Sequence, residues 1–166
     1  MNPDMHNKFV LNASPLIVLG KADLLRTIAP LAFEWVIPNG VVEEIEKKRP
    51  LNLYIVDLQA GSSVVVERCA QIHSHVAAWD LGQGESEVLS ITLQKGVSGT
   101  AVLDDLQARK CAKILETGLI GSVGLLLLAK RCGLIRAVKP AMNKIIEAGL
   151  YISPDVLASV YKRIGE

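Results

Sequence analysis

The chain has 166 residues, of which 50% are hydrophobic and 21% are charged. That length predicts a single domain spanning residues 1–166, and the apolar content is high enough to bury a core, which excludes a disordered chain. With 18 basic and 17 acidic residues the net charge is +1, so the protein lacks the overall basic field of many nucleic-acid-binding proteins. Any such binding must come from a local patch.

Cysteine usage and hydropathy predict the compartment. Cys69, Cys111 and Cys132 are odd in number and include no CxxC pair, which favours free thiols in a reducing environment. Residues 1–8 are polar and contain no apolar signal region, and the apolar run at 123–129 is far shorter than a membrane span. We therefore expect a cytoplasmic protein without a membrane segment.

Apolar runs separated by turn residues predict an alternation of strands and helices along the chain. The expected strands cover residues 9–11, 33–37, 64–66, 101–103 and 119–120. The expected helices begin near Pro15, Gly40, Cys69, Gly84, Leu106, Val123, Ala141 and Pro154. Ser14 and Ser122 are suited to cap two of them, whereas residues 51–63 are irregular and predict a surface excursion. This order predicts an α/β fold with a mostly parallel sheet and a helical C-terminal tail.

Acidic residues follow the strands or begin the helices of this pattern. They are Glu43, Glu44, Glu85, Glu87, Asp104 and Asp105. Ligands of open α/β sheets bind at the carboxyl edge of the strands, where such side chains would meet. Crowded carboxylates repel one another by roughly 4 kcal/mol per pair at ~4 Å and intermediate dielectric. Mg²⁺ or Mn²⁺ is the natural counterion for such an oxygen set, and either ion supports hydrolysis of a phosphodiester.

Each of these acids also has a purely structural interpretation. Taken alone, Glu44 lies on a solvated helix face near a favourable dipole, Glu85 and Glu87 are ordinary first-turn acids, and Asp105 is a helix cap. Asp104 is the strongest individual candidate for chemistry. Basic residues nearby either line a phosphate path or are ordinary surface charges at helix ends. They are Lys47, Lys48, Arg49, Arg109, Lys110 and Lys113.

The order and spacing of several motifs resemble PIN-domain proteins, especially the branch of short bacterial and archaeal toxin-type members. These motifs are FVLNASPLI at 9–17, IPNGVVEEI at 37–45, LGQGESEVLSIT at 81–92, VLDDLQARKCA at 102–112 and GSVGLLLLAKRCG at 121–133. The resemblance covers nearly the whole chain and is weakest over residues 49–80. It implies a flavodoxin-like three-layer α/β/α sandwich, a metal-dependent ribonuclease activity on RNA, a small antitoxin protein as partner, and a homodimer.

The resemblance also implies roles for residues of this sequence. The implied catalytic residues are Glu44, Glu85 and Asp104. The implied ligands of Mg²⁺ or Mn²⁺ are Asn12, Glu44, Glu85, Glu87, Asp104 and Asp105, with either Glu85 or Glu87 as the third acid. Ser14 and Arg109 are implied contacts to the RNA. Asn12 lies where the family has an acid, and an amide coordinates without charge, so metal affinity should fall. The alternative hypothesis is therefore a module that binds RNA or a partner without turnover.

A phosphoacceptor receiver is a third interpretation. Residues 54–58 look like a strand that ends near an acceptor, Asp57, and Lys139-Pro140 resembles the Lys-Pro pair of such a pocket. The order of motifs argues against it, because the acidic pair of a receiver precedes its acceptor, whereas Asp104 and Asp105 follow Asp57.

Overall fold

A computed structural model describes residues 6–166. Its centre is a five-stranded sheet in which every pairing is parallel and the strand order is β3-β2-β1-β4-β5. The strands are β1 (Lys8–Leu11), β2 (Glu34–Pro38), β3 (Ser63–Glu67), β4 (Gly99–Val102) and β5 (Gly118–Ile120). The predicted α/β fold with a parallel sheet is confirmed.

Helices connect the strands and continue beyond the last one. Within the described residues they are α1 (Ala13–Lys21), α2 (Leu25–Ile28), α3 (Asn39–Glu46), α4 (Asn52–Gln59), α5 (Ser74–Ala77), α6 (Gln83–Lys95), α7 (Leu106–Ile114), α8 (Ser122–Arg131), α9 (Val138–Glu147) and α10 (Pro154–Ile164). None of them combines the length and apolar character that crossing a membrane requires.

The helices form a layer on each face of the sheet, which gives the predicted three-layer α/β/α sandwich. Helix α6 packs on β1, β2 and β4, and α7 lies beside it. The other layer contains α1, α2, α4, α8 and α9, which contact one another. Right-handed crossovers explain this division, because the chain moves from β1 toward β3 in one direction and from β4 to β5 in the other.

The core of the sheet is centred on Trp35 in β2. This side chain is fully buried, its ring packs edge-to-face on Phe9 with centroids 5.3 Å apart, and its Nε1–H donates to the carbonyl of Ala29 at 2.9 Å. Because the one polar atom of the indole is satisfied, its burial carries no unpaired-donor cost.

Several local predictions are wrong. Residues 51–63 contain α4, which buries Tyr54 and Leu58 one turn apart and is not a surface excursion. Asp57 therefore lies on a helix, where Arg26 pairs with it, and the receiver interpretation fails. Of residues 69–79 only the short α5 is helical, because Val76 alone among its residues is buried there. Helix α1 begins at Ala13, so Ser14 is not its cap.

Glu166 connects α10 to the start of α9. Its Oε1 accepts hydrogen bonds from Lys130 Nζ at 2.6 Å and from the Val138 N–H at 2.9 Å, and its Oε2 accepts one from the Lys139 N–H at 2.7 Å. These donors, led by Lys130, lower the pKa of Glu166 to about 2. The ionised carboxylate is therefore the form that the folded protein favours.

We expect Glu166→Gln to remove a pH-dependent part of the stability. A carboxylate with a depressed pKa in the folded state stabilises the fold above its ordinary pKa, 4.5 here, and that contribution disappears as the pH falls toward about 2. Urea unfolding of wild type and variant should therefore differ near pH 7, and the difference should shrink below pH 4.5 and vanish as the pH approaches 2. Glu147→Gln, at an exposed position of α9, is the control. A difference that is the same at both pH values would contradict this account.

Candidate active site

The candidate site lies at the carboxyl ends of two adjacent parallel strands. After these strands the chain continues toward opposite edges of the sheet. Strands β1 and β4 are adjacent and in register, but the chain continues from β1 to β2 on one side and from β4 to β5 on the other. A crevice forms outside the carboxyl ends of strands at such a switch point. Asn12 follows β1 directly and Asp104 lies two residues beyond β4, so both border this crevice.

Asn12 is almost completely buried, at 1% exposure, and its amide orientation is fixed by Glu85. Its Nδ2 donates to Glu85 Oε1 at 3.2 Å, while its backbone N–H donates to the Val102 carbonyl at 3.2 Å and extends the β1–β4 pairing. The Oδ1 atom is buried and accepts no hydrogen bond from the residues that the structure describes. A buried acceptor without a partner costs about 1–3 kcal/mol, so this oxygen is suited to a cation.

Gly84 brings the Glu44 carboxylate and the Asn12 amide to the same small space. A Cβ at position 84 would lie 3.2 Å from Glu44 Oε2 and 3.3 Å from Asn12 Oδ1. Glycine therefore leaves room between α3 and α6 in which two oxygen atoms face the same point. Glu44 is exposed and Glu85 is half-buried, so the space is open to solvent on that side.

Asp104 is held at the N-terminus of α8 by Ser122. Its Oδ1 accepts the Ser122 N–H at 2.8 Å and its Oδ2 accepts the Ser122 hydroxyl at 2.5 Å. The predicted capping role of Ser122 is wrong, because Gly121 is the N-cap of α8 and the buried Ser122 hydroxyl bonds to Asp104 instead. A carboxylate has about four acceptor positions, so Asp104 keeps two for other partners.

Asp105 caps the next helix. Its Oδ2 accepts the Ala108 N–H at 2.9 Å at the start of α7, and the residue is exposed. The structural interpretation of this acid therefore accounts for its position, and its role as a ligand stays a prediction that no contact here supports.

We expect Asp105→Ala to reduce stability without changing metal dependence. Loss of an N-cap costs about 1 kcal/mol, since an orphan N–H of the first turn loses its acceptor. Chemical denaturation measures the cost, and a Mn²⁺ titration measures the affinity. An unchanged unfolding free energy together with weaker Mn²⁺ binding would make Asp105 a ligand and not a cap.

Glu87 points to a different part of the α3–α6 contact from Glu85. It is 5% exposed, its Oε2 accepts the Gln83 side chain at 3.1 Å, and it lies so close to Gly40 that a Cβ there would collide with the carboxylate. Burial first, and the charge of Glu87 second, raise the pKa of the Cys69 thiol. The contacts therefore associate Glu85, and not Glu87, with Asn12.

The two residues implied as RNA contacts differ in their surroundings. Ser14 is exposed in the first turn of α1, two residues after Asn12. Arg109 donates from its guanidinium to the Leu103 carbonyl at 2.9 Å, and with Asp104 it lines a cavity of about 380 Å³. An arginine thus lies beside the candidate carboxylate.

The oxygen set at the crevice fits a hard divalent cation. Across residues 6–166, no three His, Cys, Asp or Glu side chains converge closely enough to hold an ion by themselves. Mg²⁺, however, is usually bound through one or two carboxylates and keeps several waters. Asn12 Oδ1 and Glu44 Oε2, which face the same space, provide one amide oxygen and one carboxylate, and the Glu85 carboxylate lies beside them through its bond to Asn12 Nδ2, so the set meets that requirement.

The structure is thus a parallel α/β/α sandwich with acidic side chains near its switch point. A family model for the PIN domain matches residues 8–166, and the chain belongs to this family. PIN domains generally depend on a divalent metal, and membership suggests RNA binding. A comparison with curated proteins found no match.

Proposed function

We propose that this protein is an endoribonuclease that hydrolyses phosphodiester bonds of RNA with Mg²⁺ or Mn²⁺ as cofactor. The observation that carries the proposal is the Asn12 amide oxygen, which is buried and unpartnered among the described residues and faces the same space as the Glu44 carboxylate. A protein retains such a costly acceptor where a ligand satisfies it.

Asn12, Glu44 and Glu85 are the residues that would hold the ion. When bound, it supplies Lewis-acid stabilisation of the charge that develops on the phosphate. The neutral Asn12 amide donates to Glu85 and so avoids a third adjacent carboxylate, which reduces repulsion in the metal-free protein. Asn12 is therefore one of the ligands of the ion. Because its amide is uncharged, it lowers the affinity for the metal but does not abolish binding.

Asp104 and Arg109, on the other side of the switch point, would activate the water and bind the phosphate. The two free acceptor positions of Asp104 can orient water and accept its proton, because Ser122 fixes both carboxylate oxygens. Arg109 can bind a phosphate oxygen of the RNA next to it, since a guanidinium donates several hydrogen bonds.

We expect wild-type protein to cleave fluorescently labelled RNA with Mn²⁺ or Mg²⁺ and not with EDTA. Glu44→Gln keeps the shape of the side chain but removes its charge, so Mn²⁺ binding by calorimetry should weaken by at least about tenfold and cleavage should be lost. Glu46→Gln, exposed on the same helix, is the matched control. Absence of saturable Mn²⁺ binding at millimolar concentration would overturn the proposal and favour a binding module without turnover.

The family resemblance extends the proposal beyond this site. It predicts a homodimer paired with a small antitoxin that blocks its activity, and a contact of Ser14 with RNA. The cytoplasmic location, predicted from cysteine usage and hydropathy, and the single domain across residues 1–166, predicted from length, likewise stay predictions.

A further inference from the structure

Two neighbouring cavities form a groove that leads away from Asp104 along the edge of the sheet. Its first part is the cavity of about 380 Å³ that contains Asp104 and Arg109, and its second part is a cavity of about 590 Å³ that contains Arg163 on α10. Ile120 and Gly124 line both parts, so the two cavities adjoin at these residues. The walls of this groove are β5, α8 and α10.

Gly124 lies where the two parts meet, at a close approach of α8 to β5. A Cβ at this position would lie 2.7 Å from Ile120 Cγ1, so any larger residue would push α8 away from β5 or fill the groove. The second part beyond it has apolar walls, formed by Leu127, Leu128 and Ile164. The groove therefore offers apolar surface next to the candidate site.

Basic side chains border this apolar surface. Arg109 lies at the Asp104 end, and Lys130, Arg131 and Arg163 line the far part. Glu166 pairs with Lys130, whereas no acidic side chain within residues 6–166 pairs with the exposed Arg163. A chain with repeating phosphates and apolar base faces matches this combination, since phosphates bind cations and bases pack on apolar surface.

We propose that this groove binds the single-stranded RNA that flanks the cleaved bond, with Arg163 contacting a phosphate distant from Asp104. The proposal rests on the proposed ribonuclease function and adds the path of the substrate to it. A single strand is the form of RNA to which this combination is suited, because its unpaired bases are free to pack on a protein surface.

The test compares oligoribonucleotides of two lengths. Fluorescence anisotropy with EDTA, which prevents cleavage, measures binding of strands of about 4 and about 12 nucleotides. Arg163→Ala should weaken binding of the longer strand about fivefold and leave the shorter one within about twofold, because only the longer strand reaches α10. The slope of log affinity against log salt for the longer strand should fall by about 0.7, the value for one phosphate contact on a single strand.

Lys162→Ala is the matched control. Lys162 belongs to the same last turn of α10 and has the same charge, but it does not line the groove. It should leave both affinities unchanged, which separates a phosphate contact from the effect of charge on the helix dipole. If Arg163→Ala and Lys162→Ala weaken RNA binding equally, the proposed binding of RNA in the groove is wrong. Cleavage of RNA by the wild-type protein would in that case still support the ribonuclease function. A wild-type protein that neither binds nor cleaves either strand with Mn²⁺ would overturn both proposals.

Discussion

Replacing Asp104 by asparagine is expected to lower the rate of RNA cleavage by at least about hundredfold while the protein stays folded. The substitution removes the charge and one acceptor of a side chain whose two oxygens both bond to Ser122. The Ser122 hydroxyl can rotate to accept from the new amide, so the buried contact survives. Single-turnover cleavage of labelled RNA with saturating Mn²⁺ measures the loss, and thermal unfolding verifies the fold.

Asp105→Asn is the control for this substitution, because it removes the same charge one residue further along. Asparagine is as good an N-cap as aspartate, so α7 should keep its cap and the enzyme its activity. If Asp104→Asn cleaves at the wild-type rate, Asp104 has no part in the chemistry, and the reaction must rely on the Asn12, Glu44 and Glu85 side alone.

Ser122 explains why these neighbouring acids have different surroundings. Asp104 is fixed by a residue 18 positions later in the chain, beyond β5, and the Leu103 N–H donates to the Ile120 carbonyl alongside it at 3.0 Å. Asp105 instead bonds only three residues ahead, within its own helix. The long-range contact with Ser122 orients the Asp104 carboxylate toward the crevice. The local contact with the Ala108 N–H makes the Asp105 carboxylate a helix cap.

The sequence was sufficient to predict the strands and the parallel sheet, because each strand contains a short apolar run that is followed by a turn or a helix start. It was not sufficient for α4, whose β-branched Ile55 and Val56 favour a strand although Tyr54 and Leu58 are buried one turn apart. Tertiary packing of those two side chains overrides the local preference. The helix predicted over residues 69–79 is wrong for the opposite reason. The local pattern favours a helix, but in the short helix that forms, α5, only Val76 is buried.

Helix packing gives neighbouring predicted site residues different surroundings, and no local sequence pattern predicts that packing. Glu85 and Glu87 lie in the same part of α6, yet Glu85 bonds to Asn12 and Glu87 packs against Gly40. Gly40 leaves room for the Glu87 carboxylate from the facing helix, and Gly84 in the same way leaves room for the Glu44 carboxylate. The partnerless state of the Asn12 oxygen likewise depends on which atoms surround it in the folded chain.

We expect Asn12→Asp to tighten Mn²⁺ binding and to destabilise the metal-free protein. The new carboxylate would lie against Glu85, where wild type has a hydrogen bond of 3.2 Å, so a like-charge contact replaces a favourable one. Without metal this should cost about 1–3 kcal/mol, because a buried acceptor pair loses its donor. With Mn²⁺ the third carboxylate adds attraction, and affinity should rise by about tenfold.

The same substitution therefore lowers the stability of the metal-free protein and enlarges the stabilisation that the ion provides. Thermal unfolding should show a lower midpoint than wild type in EDTA and a larger upward shift with Mn²⁺, and calorimetry gives the affinity. Asn12→Leu, which keeps the volume but removes both polar atoms, should weaken Mn²⁺ binding and abolish the larger shift. If Asn12→Asp binds Mn²⁺ no more tightly than wild type, the Asn12 oxygen does not face the ion, and Glu44 and Glu85 must hold it without help from β1.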